Sequence, residues 1–230
     1  MNKLQPKFSA LAETIINELT STNISLSSPL LKTKVLAYRI KNQELLNWTN
    51  HELVGYPILD QVPNYRKTTG DIYADYVKGN LLATDQFIDL KGDPELYEMY
   101  MCQGIPTMET YTSSHVGETF EGEQRQIIVD FLCSQNSNLQ ISRIYKKTPA
   151  NIVLDIVNTV RNRLLDFMLE MEQTYGMVAE IKELKAFNPE ITHIVHNNIV
   201  NFGDGGIVNT GSDAKIKADI SIEKSGRCGS

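Results

Sequence analysis

Residues 148–176 read TPANIVLDIVNTVRNRLLDFMLEMEQTYG. Within them Ile152, Val153, Ile156, Val160, Leu164, Phe167, Met168 and Met171 recur at three- and four-residue steps, the period of one helix face, while Asp155, Arg161, Arg163, Asp166, Glu170 and Glu172 fall largely elsewhere. Thr148-Pro149 offers a cap followed by a proline suited to a first helical turn, and Gly176 offers a stop. The spacing predicts the longest helix of the chain, ending at Tyr175, with an apolar stripe that faces a core.

Three shorter helices precede it. Leu4, Phe8, Leu11, Ala12, Ile15, Ile16 and Leu19 keep helical spacing over 4–19. Ser28 and Pro29 supply a cap and a preset first residue for a second helix to Lys41, with Leu30, Leu31, Val35, Leu36 and Ile40 as its apolar positions. Asn42 is a stop or the cap of a third helix carrying Leu45, Leu46, Trp48, Leu53 and Val54. That helix closes at Gly55 in a left-handed conformation, with Pro57 just beyond. After Pro63 the period changes to two: Ile72, Ala74 and Tyr76 alternate with Tyr73, Asp75 and Val77, and Lys78-Gly79-Asn80 breaks the run before Leu81–Leu90, a β-hairpin pattern. Asp93-Pro94 opens a short helix through Leu96, Met99 and Tyr100 that Gly104 and Pro106 end. Ile127–Cys133 reads equally as strand or helix, and Leu139, Ile141 and Ile144 or Tyr145 suggest a further strand.

Beyond Asn188-Pro189 the composition turns to Asn, Gly, Ile and Val. Ile194-Val195-His196, Ile199-Val200-Asn201 and Ile207-Val208-Asn209 suggest short strands, and Ile216, Ala218, Ile220 and Ile222 alternate with polar residues. Such strands need partners for their backbones, so the tail is expected to join copies of the chain. The expected fold class is α+β, with N-terminal helices, a small central β element, a long helix in the C-terminal half and a strand-rich tail. The expected division is a domain at 1–187 and an oligomerisation tail at 188–230.

Composition bounds the function. The 230 residues are 41% hydrophobic and 22% charged, an ordinary globular mixture. Lys plus Arg at 22 against Asp plus Glu at 28 give a net charge of −6, the wrong sign for a surface devoted to phosphate backbones. No apolar run approaches the roughly 20 residues that cross a bilayer, and the first residues lack the apolar core of a signal peptide, so a cytoplasmic protein off the membrane is expected. Cys102, Cys133 and Cys228 are odd in number and far apart, and read as free thiols.

Local motifs for chemistry are weak. His193 and His196 lack a third metal ligand, and His51-Glu52 lacks the second histidine of a metalloprotease helix. Asp204-Gly205-Gly206 reads as a turn, and Glu118, Glu121 and Glu123 as a solvated face. No catalytic, cofactor-binding or metal-binding residue is therefore assigned.

Two segments carry a likeness. The first is Leu30-Leu31-Lys32-Thr33-Lys34-Val35-Leu36-Ala37-Tyr38-Arg39-Ile40 with Glu44-Leu45, Trp48, Glu52-Leu53-Val54-Gly55-Tyr56 and Pro63-Asn64-Tyr65-Arg66; the second is Val160–Phe167 continuing into Leu169-Glu170. Together they resemble the AbiTii domain family, named for a component of a bacterial abortive infection system. The resemblance runs from the first helix to about the end of the long one. It implies a phage-defence protein that responds to infection by halting the host cell, and it brings no catalytic residue. Trp48, Glu52, Gly55, Tyr56, Tyr65 and Asp166 carry the match and have structural readings as well: Trp48 a core anchor, Gly55 a helix stop, Tyr65-Arg66 a polar lead-in to the hairpin.

Arg66, Arg161 and Arg163 stand out because a guanidinium clamps carboxylates or phosphates bidentately; a network with Glu44, Glu52 or Asp166 is the plainer alternative. The expected function is thus a sensor, adaptor or assembly module working through protein contacts with a phage or host component. An effector enzyme acting on nucleic acid or nucleotide is the alternative, and a neutraliser of a basic partner a third.

Overall fold

The computed structural model describes residues 8–21, 23–90, 94–136, 138–176 and 180–200. In chain order its elements are α1 (Phe8–Thr20), α2 (Ser27–Ile40), α3 (Gln43–Val54), β1 (Lys67–Thr69), β2 (Asp71–Lys78), β3 (Leu81–Ile88), β4 (Glu98–Tyr100), α4 (Ile105–Met108), β5 (His115–Thr119), α5 (Gly122–Gln135), β6 (Leu139–Pro149), α6 (Asn151–Tyr175), α7 (Ile181–Leu184) and α8 (Asn188–Val195), followed by a π-helical turn, His196–Val200. The class is α+β, as expected. The chain forms two compact units: a helical one from Met1–Asn64, Cys102–Thr110 and Asp155–Ser230, and a sheet one from Tyr65–Met101 and Tyr111–Leu154.

In the helical unit the buried faces follow the predicted stripes, except at Leu31 and Val35 of α2, which are exposed. Phe8, Ala12, Ile15 and Leu19 of α1, Leu30, Leu36, Ala37 and Ile40 of α2, and Val160, Leu164, Phe167, Met168 and Met171 of α6 are buried. Each such large side chain contributes about 1.5–3 kcal/mol. Helix α6 starts at Asn151, because Thr148 and Pro149 complete strand β6 instead of capping the helix. Gly176 does end it, at φ +68, donating to the Glu172 carbonyl at 2.9 Å.

Three local readings are corrected here. First, α2 begins at Ser27, ahead of the expected Ser28 cap, and Leu26 at its N-cap makes no side-chain bond. Glu109 caps it from far along the chain: its carboxylate accepts from Leu26 N at 2.7 Å, Ser25 Oγ at 2.5 Å and Ser27 Oγ at 3.2 Å. Ser28 Oγ donates instead to Glu18 Oε2 at 3.0 Å. Glu109→Ala should therefore cost about 1 kcal/mol of stability in denaturant unfolding. Second, Gly104 does not stop a helix but stands at the N-cap of α4. Third, 188–200 is helical where short strands were expected: Pro189 sits in the first turn of α8, and Ile191, Ile194, Val195 and Ile199 are buried. Residues 201–230, with the rest of the expected strand tail, lie outside the described residues.

Asn42 joins three elements. Its Oδ1 accepts from Leu45 N at 2.9 Å, capping α3, while its Nδ2 donates to Asn188 Oδ1 and Thr192 Oγ1 of α8, both at 2.9 Å. At the other end of α3, Gly55 has φ +106 and ψ 176, a glycine conformation but not the left-handed helical one expected. Its strand-like pairing with Gln103 brings two backbones into close approach.

In the sheet unit, the described strands form a two-stranded sheet, β1–β4, and a four-stranded antiparallel sheet in the order β3–β2–β6–β5. The predicted hairpin is β2–β3. Pro94–Tyr97 is a single 3-10 turn, and Met99 and Tyr100 lie in strand β4 rather than in the expected helix, since β1 pairs with them. The ambiguous stretch at 127–133 is helical, within α5. One sheet face packs Ile72, Ala74 and Ile144 against Leu90, Phe120 and Ile128. Cys133 is a free thiol, and Cys228 lies outside the described residues.

Candidate functional site

The three arginines singled out by sequence hold backbone carbonyls. In the sheet unit, Arg66 is fully buried and donates from Nη1 to Met101 O at 2.9 Å, while Tyr65 beside it is half-buried. In the helical unit, Arg161 reaches from α6 to the end of α1 and the segment after it, donating to Leu19 O and Ile24 O, both at 3.1 Å. Arg163, 5% exposed, donates to Ile199 O at 2.6 Å. Helix and loop ends leave such carbonyls without intrahelical donors, and a guanidinium serves several of them together.

The residues that carry the family likeness take distinct places. Trp48, Glu52 and Tyr56 are buried, and the Tyr56 hydroxyl donates to Glu52 Oε1 at 2.5 Å. The His51 ring lies 4.9 Å from that of Tyr56, and burial lowers its pKa against the raising effect of Glu52. Asp166 lines a groove of about 700 Å³ with Glu170, Gln173 and Asn198; Asn198 Nδ2 donates to Glu170 Oε2 at 2.5 Å. Glu44 faces His196, whose Nε2 is 2.6 Å from its carboxylate, and His193 lies 3.1 Å from the Asn197 amide. Among the expected acidic loop residues, Glu118 pairs with the buried Lys146 at 3.6 Å.

Sequence reasoning missed a polar cluster on the sheet face opposite the core. Tyr73 on β2 is in register with Phe87 on β3 and Tyr145 on β6, which sets three rings in one row. Where β3 pairs with β2, Ala74 faces Gln86 but Tyr76 faces Ala83, a bulge that places Asp85 at φ +56. The Asp85 carboxylate accepts from Lys147 Nζ at 2.5 Å and Tyr145 Oη at 2.6 Å. Its backbone amide donates to Asp75 at 2.8 Å, and Asp75 also holds Arg143 at 2.9 Å. The Lys147 bond first, then the Tyr145 bond, keeps the Asp85 carboxyl below the usual aspartate value. Burial first, then the bond to Asp85, pushes the Tyr145 phenol up to about 12. At neutral pH Tyr145 is thus a neutral donor and Asp85 an anionic acceptor. A cleft of about 420 Å³ opens beside Asp71 and Lys147, lined also by Thr69, Tyr97 and Thr148. The signal in the sequence was the two-residue spacing of Arg143, Tyr145 and Lys147 on a strand.

A second exposed feature lies on α2. Leu31, Val35 and Tyr38, at the i, i+4 and i+7 positions of one helix face, are 54%, 45% and 75% exposed. Leu31 and Val35 therefore point away from the core that sequence assigned them to. Large apolar side chains side by side in water mark a contact surface more often than scattered ones do.

No helix among the described residues is long and apolar enough to cross a membrane. No curated protein and no solved structure matches the chain. The model of the AbiTii family matches residues 10–197, a span that takes in α2, α3, the sheet and α6. With that match over well more than half of its length, the chain belongs to the AbiTii family, which associates it with abortive infection in antiphage defence.

Proposed function

We propose that the chain serves antiphage defence as a sensor or adaptor that acts through protein contacts, rather than as an enzyme acting on nucleic acid or nucleotide. The observation that carries this reading is the exposed Leu31, Val35 and Tyr38 stripe, which lies inside a segment of the family likeness. The engagement of Arg66, Arg161 and Arg163 with main-chain carbonyls supports it, since a phosphate-acting centre would turn such groups toward a ligand. Assembly through the tail belongs to the same reading, supported by the alternation of Ile216, Ala218, Ile220 and Ile222.

Introducing Val35→Asp with Tyr38→Asp into cells that carry the intact defence locus tests the proposal. Both positions are exposed, so stability should change by no more than about 0.5 kcal/mol each. Loss of phage protection at unchanged protein abundance is expected. Full protection by the double variant would refute the role given to this face.

A further inference from the structure

We propose that the face of the four-stranded sheet opposite its core binds single-stranded nucleic acid, with Phe87, Tyr73 and Tyr145 stacking bases and Arg143, Lys147 and His115 meeting phosphates. The inference goes beyond the adaptor reading and does not depend on it; it would give a sensor its trigger.

Several observations converge. The core lies on one side of the sheet, so residues that alternate with Ile72, Ala74 and Ile144 share the other. There the ring centroids of Tyr73 and Phe87, and of Tyr73 and Tyr145, are each 6.0 Å apart, and the two tyrosine planes differ by only 19°. Phe87 is 57% exposed on the edge strand, a ring open to an incoming base. Arg143 stands 4.4 Å over the Tyr145 ring and Lys147 Nζ 3.8 Å over the Tyr73 ring, so a strand that moves these cations onto its phosphates frees the tyrosine faces for bases. The pairing of Gly117 with Lys147 sets His115 of β5 on the same face. A row of rings with interleaved cations fits unpaired bases and their phosphates; a duplex hides its base faces and offers such a row nothing to stack on.

Three carboxylates share the face. Asp75 holds Arg143 and Asp85 holds Lys147, while Asp71 is in register with Lys147. They occupy the cations much as phosphate oxygens would, so a bound strand must displace them. Stacking then carries most of the affinity. Neutralising Asp85 should strengthen binding.

Fluorescence anisotropy of the full chain with labelled mixed-sequence RNA and DNA single strands, and with the matching duplex as competitor, tests this. One or both single strands should bind, the two arms showing which sugar is preferred, and the duplex should compete poorly. Phe87→Ala, on an exposed ring that the fold does not need, should weaken binding about tenfold, and its combination with Tyr73→Ala about a hundredfold. Asp85→Asn should tighten it. No binding of either strand, equal binding of the duplex, or an unchanged affinity of Phe87→Ala at native circular dichroism would each overturn the proposal. Phage plating of the α2 variant reads the adaptor proposal alone, so the two fail separately.

Discussion

Gly55→Ala should lower stability by about 3 kcal/mol and the melting temperature by roughly 6–12 °C. Two independent causes add. Gly55 holds φ +106, a conformation that L side chains rarely adopt, and a Cβ there would lie 2.5 Å from the Cys102 carbonyl oxygen and 3.2 Å from the Gly104 nitrogen. Those neighbours are backbone and cannot swing aside. The approach is mutual, because a Cβ on Gly104 would collide with the Leu53 carbonyl. Gly79→Ala is the control: φ is +60 but nothing lies within 4 Å, so it bears conformational strain alone, about 1–2 kcal/mol. Thermal melts followed by circular dichroism separate the two, and equal losses would show that the close approach at Gly55 has no energetic weight.

Asn42→Ala should cost about 2–4 kcal/mol in guanidinium unfolding, since it removes a helix cap and takes the amide from two half-buried partners at once. The side chain is 1% exposed and bonds Leu45 N, Asn188 Oδ1 and Thr192 Oγ1. Asn42→Asp is the informative comparison. It keeps the cap to Leu45 N, yet sets a buried carboxylate against Asn188 Oδ1, whose orientation is fixed by the Asn188 amide donating to Lys41 O at 3.3 Å. Thr192 can rotate its hydroxyl to donate, but Asn188 cannot turn without losing Lys41. The Asp variant should therefore be no more stable than the Ala variant; if it matched the native chain, the bridge to α8 would be immaterial.

Elements whose signals are local were legible in the sequence. The stripe of α6 with its Gly176 stop and the β2–β3 hairpin rest on spacing and turn residues within one segment. What sequence missed depends on distant partners. The start of α2 is set by Glu109, more than 80 positions away, and Gly104 by its approach to Leu53. The Ile- and Val-rich 188–200 stretch has strand-like composition, but burial of Ile191, Ile194 and Val195 on one helical face overrides that preference. For the site, Arg66, Arg161 and Arg163 stand out by residue type, but the carbonyls each of them reaches are revealed by no spacing. The sheet-face cluster needed the register of three strands to assemble Tyr73, Phe87 and Tyr145.

Phage plating on bacteria whose defence locus carries either the native chain or Val35→Asp with Tyr38→Asp is the most direct measurement of the central claim. A protein that works through its α2 face should lose protection in the double variant while its abundance and melting temperature stay native. Undiminished protection would contradict it.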